Sequence, residues 1–279
     1  MNKLTFVLPA MACLGMMLAA CGSDNNDDDL GSGIFSDSPV GGLSYVSGQT
    51  TGVTNAEGQF SYETGGSVTF SIGDITLGTT SGAKVITPVE LVSGATDETH
   101  PSVTNIARFL QTLDDDATPS NGITITSNVM DLAVGKSMDF SLSIADFENN
   151  TNVQTIVAEL TAATTAGARS LVSTEQAQAH FKNTLISFLV GNYTGTFSGG
   201  DTGSFSLTIN SDGTLSGNGQ GLDETFTFTG AVNSDGSAAA GNTSTGAEFV
   251  MQISRAGSIQ GTWSNSIFGV DGTLSGQKN

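Results

Sequence analysis

The sequence predicts a mainly β protein with a helical section. A small N-terminal β-sandwich with packed helices is expected over residues 33–190, followed by an eight-stranded antiparallel meander or barrel over 191–279. Three observations carry that expectation. The first is composition: glycine occupies 36 of 279 positions against only 5 prolines, and 37% of residues are hydrophobic. A collagen repeat is thereby excluded, and enough apolar side chain remains for a core. The second is a string that recurs between residues 192 and 277. Gly195-Thr196-Phe197-Ser198, Gly213-Thr214-Leu215-Ser216, Gly261-Thr262-Trp263-Ser264 and Gly272-Thr273-Leu274-Ser275 are variants of one pattern. The third is a stretch between Pro101 and Leu189 in which apolar residues recur at helical spacing and interrupt the β pattern.

From Gly33 the expected strands are Ile34-Phe35, Leu43–Val46, Gly58–Tyr62 and Val68–Ile72, short β-prone runs separated by turn residues. Between them Asn55 is placed to make a side-chain to backbone turn, Gly58 to take a positive φ, and Phe60 to return to the core. The run from Ser38-Pro39-Val40 through Tyr45 to Phe60 resembles the transthyretin-like or carboxypeptidase-regulatory-like module of secreted proteins, where a T-D/N-x-x-G-x-F turn joins two strands. That resemblance implies a fold and no substrate.

The helical section follows. Val103, Ile106, Ala107, Leu110 and Leu113 mark an amphipathic helix between Pro101 and the aspartates at 114–116. A second helix is expected from Asn152 or Val153 to Ala163. A third starts at Ser173, whose hydroxyl caps it while Gln176 reaches back, and continues through Phe181 to Leu189. The strings FSIGDITLG at 70–78, ITPVELV at 86–92, NIARFLQTLDDD at 105–116 and NGI at 121–123 resemble a recurrent module of proteobacterial lipoproteins and large surface proteins. The resemblance spans residues 33–190 and implies no known activity.

In the last section, Asp-Gly turn signals at Ser211-Asp212-Gly213, Ser234-Asp235-Gly236 and Val270-Asp271-Gly272, with Arg255-Ala256-Gly257 a weaker one, separate eight alternating runs. These are 193–198, 204–210, 213–219, 225–233, 236–241, 246–254, 257–264 and 267–276. Closure into a barrel removes both exposed edges, and an open meander resting on the helices is the competing geometry. Such a barrel is either filled or holds one small ligand. Phe197, Phe205, Phe228, Phe249 and Trp263, with Tyr193, Phe226 and Phe268, are the aromatic residues available for a core or for a ligand pocket. The section loosely resembles the C-terminal barrels of surface lipoproteins that bind host or nutrient proteins, and more loosely lipocalins.

Charge narrows the partners. The formal charge is −19, which repels phosphate and argues against nucleic acid or an anionic membrane surface as a partner. One candidate metal site stands out: Asp114, Asp116, Thr118, Ser120 and Asn121 put oxygen groups at alternate positions, as a calcium loop does. Pro119 occupies the place of the loop glycine and Ile125 that of the bidentate glutamate, so an acidic helix end followed by a polar turn is the alternative. The two histidines, His100 and His180, make no zinc pair. Asp201-Thr202-Gly203 copies the aspartic-protease tripeptide once, where that chemistry needs two aspartates sharing a proton. A hairpin turn is expected there, and no cofactor or catalytic constellation is expected elsewhere.

Residues 1–20 read as a secretion signal: Met1-Asn2-Lys3, an apolar run from Leu4 to Leu18, then Leu18-Ala19-Ala20-Cys21. The closing string resembles the lipobox of bacterial lipoproteins. That resemblance implies a diacylglyceryl group on Cys21, cleavage before it, and, with Gly22 rather than aspartate next, sorting to the outer membrane. Cys13 leaves with the signal and Cys21 is lipidated, so no thiol remains for disulfides or catalysis. Acyl chains hold such a protein on a bilayer at about 0.8 kcal/mol per buried methylene. Residues 21–32, with Asp27-Asp28-Asp29, are expected to form a flexible acidic tether. An acidic tract in that position also resembles surface-export signals of some bacterial phyla. The functional expectation is a non-catalytic envelope lipoprotein, on the periplasmic or cell-surface face, acting as a binding, adhesion or structural module toward a protein or glycan. A small-ligand carrier using the barrel is the alternative.

Overall fold

The computed structural model describes residues 30–242 and 246–279; Cys21, the signal and most of the tether lie outside them. The first strands are β1 (Leu30–Phe35), β2 (Val40–Gly41), β3 (Ser44–Ser47), β4 (Thr50–Val53), β5 (Gln59–Glu63), β6 (Ser67–Ile72), β7 (Ile75–Ser81) and β8 (Val85–Ile86). All but β2 form a sheet of order β5-β1-β8 facing one of order β4-β3-β6-β7, while β2 pairs in parallel with the later residues Ile123 and Thr124. Phe35 and Phe60 from the first meet Phe70 from the second, with ring centroids 4.7 and 5.0 Å apart. This is the sandwich core. Residues 30–32, expected in the tether, are instead strand: Leu30 pairs with Glu63 and Ser32 with Ser61. Serine and glycine there need no buried side chain, because the pairing backbone supplies the order.

The Asn55 turn forms as its residues require. Asn55 Oδ1 accepts the Glu57 and Gln59 amides at 3.2 and 2.8 Å, Gly58 has φ 72°, and Phe60 is buried. Strands β2, β4, β7 and β8 were not expected. Two are only two residues long and one reads TTGV, so none of these three carries a periodic apolar signal.

The helical section contains α1 (Pro101–Leu113), β9 (Ile123–Thr124), α2 (Ser127–Leu132), α3 (Ile144–Asn149), α4 (Thr151–Thr161) and α5 (Thr174–Leu189). Ser173 Oγ accepts the Gln176 amide at 3.2 Å and caps α5. Helix α1 forms where its amphipathic spacing placed it, and its polar side is covered too: every residue from Val103 to Leu113 is buried. Its polar residues find partners where water would have been. Asn105 donates to the Phe140 and Leu142 carbonyls, Arg108 to the Val172 carbonyl, and Gln111 to Asp37 and the Ala177 carbonyl. These bonds hold α1 in place, although Asn105 Oδ1 and Arg108 Nη1 stay buried without a hydrogen-bond partner among the described residues. α1 is therefore the axle of this section, with the sandwich on one side and α3, α4 and α5 around the rest.

Helix α5 runs directly into the barrel. The strands are β10 (Gly191–Gly199), β11 (Gly203–Ile209), β12 (Thr214–Gln220), β13 (Thr225–Val232), β14 (Ser237–Asn242), β15 (Ala247–Ile253), β16 (Ser258–Asn265) and β17 (Val270–Lys278). Each pairs with the next, and β10 pairs with β17 from Tyr193–Lys278 to Gly199–Gly272, so the meander is a closed eight-stranded barrel. The glycine excess has its explanation here. Inward aromatics face inward glycines across the ladder: Phe197 opposite Gly203, Phe205 opposite Gly195 and Gly219, Phe228 opposite Gly217, Trp263 opposite Gly272. A slim barrel has room for large rings only where the neighbour has no side chain.

Three turns repeat at one end. Asn210–Gly213, Asn233–Gly236 and Ser254–Gly257 each close with the glycine amide bonding back three residues, at φ between 79° and 88°. That is a type I turn followed by a left-handed bulge residue. Val270-Asp271-Gly272, expected as a fourth turn, is strand paired to β16 and β10; the turn falls earlier, with Gly269 at φ 65°. The repeated ends dock on the helical section. Leu189 joins the barrel core beside Tyr193, whose hydroxyl donates to the Leu189 carbonyl at 2.7 Å. Lys278 Nζ donates to the Phe188 carbonyl at 3.0 Å, and Arg255 pairs with Glu90.

Candidate functional site

An even meander puts alternate loops at the same end. The loops at 200–202, 221–224 and 266–269 therefore share the end of the barrel opposite to α5. The docked end is sealed by Leu189, Tyr193, Ile209, Leu215, Val232, Ile253 and Ile259, all buried. The free end holds a cavity of about 270 Å³, lined by Phe197, Phe226, Phe249, Trp263 and Phe268, with Ala247, Asn265 and Val270 and the carboxylates Asp201 and Glu224. The barrel is thus filled below and cupped above.

The cup is held rigidly. Phe226 stacks on Phe249 at 5.9 Å and 11°, while Phe197 meets Phe226 and Trp263 edge to face at 5.8 and 5.9 Å. The indole N–H of Trp263 donates to the Ser198 carbonyl at 3.2 Å, which fixes the ring's orientation. Asn265 Oδ1 accepts the Ile267 and Phe268 amides at 3.0 and 3.3 Å and shapes the last loop. Leu222, Ile267 and Phe268 remain 75%, 66% and 67% exposed around the rim. Exposed apolar side chains gathered at a cavity mouth mark a binding surface more than scattered ones do. A larger and more open depression of about 700 Å³ lies along β10–β13, lined by Phe205 and Phe226 together with hydroxyls and amides such as Ser206, Asn218 and Thr227. The smaller cup is more enclosed and aromatic, the usual character of a small-molecule site.

Of the five aromatics singled out in the sequence, Phe197, Phe249 and Trp263 meet in the cup. Phe228 is one layer deeper, 4.9 Å from Phe249, and Phe205 borders the outer depression instead. Asp201 and Glu224 were missed as site residues. Their signal was loop parity: once the strands are counted, both fall in loops at the same end. Asp201 does lie in a hairpin turn, its Oδ1 accepting the Thr202 and Leu222 amides at 2.7 and 3.3 Å.

The aspartate loop after α1 is a turn closed by its own carboxylates. Asp114 accepts the Thr118 and Thr124 amides at 2.7 and 2.9 Å, and Asp116 accepts Thr118 N and Asn121 Nδ2 at 2.8 and 2.9 Å. Ser120 is exposed in the short 3-10 turn that follows. Burial pushes the Asp114 carboxyl up, whereas the Asn121 side chain and the Thr118 amide hold Asp116 down. Among the described residues, no three Asp, Glu or His side chains come together in metal-holding range. The cost of aspartates at a helix C-terminus is offset by Arg169, which donates to the Thr112 carbonyl at 2.9 Å and to the Asp114 carbonyl.

One further constellation was not visible in the sequence. Ser38, with φ 58°, has its Oγ 3.1 Å from His180 Nε2, and Asp37 Oδ1 lies 3.7 Å from that same nitrogen. In a nucleophile relay the acid holds the other ring nitrogen, so this is no triad. Burial pushes Asp37 up to about 8 and His180 down. Both shifts favour the uncharged forms of the two groups. With Ser38 N donating to Thr184 Oγ1 at 3.1 Å, the contact pins the β1–β2 connection to α5.

No family model matches the chain, and no curated protein matches it. A solved structure described as a redesigned β-barrel aligns with 34% of this chain and 95% of its own, at 16% identity and a TM-score of 0.26. That likeness carries no functional argument.

Proposed function

We propose that the chain is a lipid-anchored protein of the outer-membrane envelope, facing the periplasm or the cell surface, and acts as a non-catalytic binding module. Its ligand enters the free mouth of the C-terminal barrel. The anchor is the diacylglyceryl group that the lipobox resemblance places on Cys21. The observation that carries the binding reading is the contrast between the two barrel ends. One is packed with aliphatic side chains and capped by α5; the other is an aromatic cup of about 270 Å³ that points away from the helical section. The partner is a small molecule, or a small group displayed by a protein or glycan. No cofactor is needed for this role.

The uncharged apolar dye N-phenyl-1-naphthylamine provides a test with the full-length chain. Saturable enhancement of its emission is expected, and Ala247→Trp, which fills the cup, should remove at least nine-tenths of the signal while leaving the thermal unfolding midpoint of the protein within a few degrees. Equal enhancement in the filled variant would contradict the reading.

A further inference from the structure

The lining of the cup says more than that something apolar fits. Resting on the binding-module reading above, we infer that the mouth takes a small organic cation, an alkylated ammonium group with a short apolar body. Five aromatic rings, Phe197, Phe226, Phe249, Trp263 and Phe268, gather around one space, and a cation over the face of such a ring is attracted most when water is excluded from it. The charged residues that line the cup are both acids, Asp201 and Glu224. Asp201 is held in place through Oδ1 by two loop amides, and Glu224 makes no side-chain hydrogen bond among the described residues.

Charge placement over the whole barrel points the same way. Its only two basic residues, Arg255 and Lys278, are engaged at the sealed end, against Glu90 and the Phe188 carbonyl. Asp223, Glu248 and Asp271 add to the negative field of the open end, in its loops or where its strands begin. That field attracts a cation and repels a carboxylate or phosphate of the same size. Volume sets the scale: about 270 Å³ lies just below the range of roughly 300–1,000 Å³ that holds a drug-sized molecule. A head group of a few carbons fits, and a long acyl chain does not.

Trp263 is the only tryptophan, so intrinsic fluorescence reads the cup directly. The test titrates the full-length chain at low ionic strength with choline and, separately, with its uncharged isostere 3,3-dimethyl-1-butanol. Choline is expected to shift Trp263 emission saturably and to bind at least tenfold more tightly than the isostere. Glu224→Gln should weaken choline at least fivefold and leave the isostere unchanged, with the circular dichroism spectrum retained. Equal affinity for the two compounds, or no effect of Glu224→Gln, would overturn the cation assignment and leave the binding-module reading in place. Silence toward both compounds while the neutral dye still binds would overturn it as well. Silence toward all three would remove both readings.

Discussion

Gly272→Val is expected to lower the stability of the barrel by about 3 kcal/mol or more and to move Trp263 emission to the red. The reason is local. A Cβ at position 272 would overlap the Ser198 carbonyl oxygen and come within 2.5 Å of Trp263 Nε1, the two ends of the hydrogen bond that orients the indole. Neither neighbour yields easily: one is backbone in the β10–β17 seam, the other a ring packed edge-on against Phe197. A comparison variant separates this from a general intolerance of side chains. At Gly241 an added Cβ meets, among the described residues, the Ala247 carbonyl at 3.3 Å and nothing else, and Gly241→Ala is expected to change the midpoint little. Urea titrations followed by fluorescence check both. Equal midpoints for wild type and Gly272→Val would show that the seam does not depend on the glycine.

The second large effect is a pH dependence centred on Asp37. Its carboxyl is fully buried, donated to by Gln111 Nε2 at 2.9 Å, and pushed up to about 8 by that burial. The unfolded chain releases the proton near the ordinary aspartate value of 3.8. Between those values the folded state holds one proton more, so stability falls as pH rises through the window and levels off above about 8. His180 acts in the opposite sense. Burial lowers it, so folding becomes easier as pH rises toward its ordinary value of 6.5, and above that value its contribution is constant. The clean interval for Asp37 is therefore from 6.5 to about 8. Across it wild type should lose about 2 kcal/mol, at about 1.4 kcal/mol per pH unit. Asp37→Asn keeps the shape and an acceptor for Gln111 without the titration, and its stability should stay level over the same interval. Urea titrations at both pH values measure the difference. Parallel losses in the two proteins would show that Asp37 is not the group responsible.

Much of the fold was legible because it obeys periodicity. The barrel strands announce themselves through alternating residues and Asp-Gly turns, and α1, α4 and α5 through apolar spacing and the Ser173 cap. Closure of the barrel was not fixed by those signals, since it depends on Tyr193 to Gly199 meeting Gly272 to Lys278 across almost the whole domain. Nor was the burial of α1, whose polar face reads as solvent-facing until the Phe140, Leu142 and Val172 carbonyls are placed against it. The site was half legible. Aromatics at alternating positions name the inward face but not the depth at which the barrel stops being filled, so Phe228 and Trp263 look alike in sequence and play different parts. Asp201 and Glu224 carry no pattern of their own and become site residues only through the end of the barrel on which their loops fall. The Asp37, Ser38 and His180 contact joins residues separated by more than a hundred positions and had no local signal.

The proposed role places the ligand of this protein at the free mouth of the barrel. Native mass spectrometry of the full-length protein taken from its own cells, compared with Ala247→Trp prepared in the same way, tests it most directly. The expected result is a small added mass on the wild-type protein that disappears on denaturation and is absent from the filled variant. An added mass that persists on Ala247→Trp would place the ligand elsewhere, and wild-type protein with no added mass, even after incubation with choline or the neutral dye, would contradict the account.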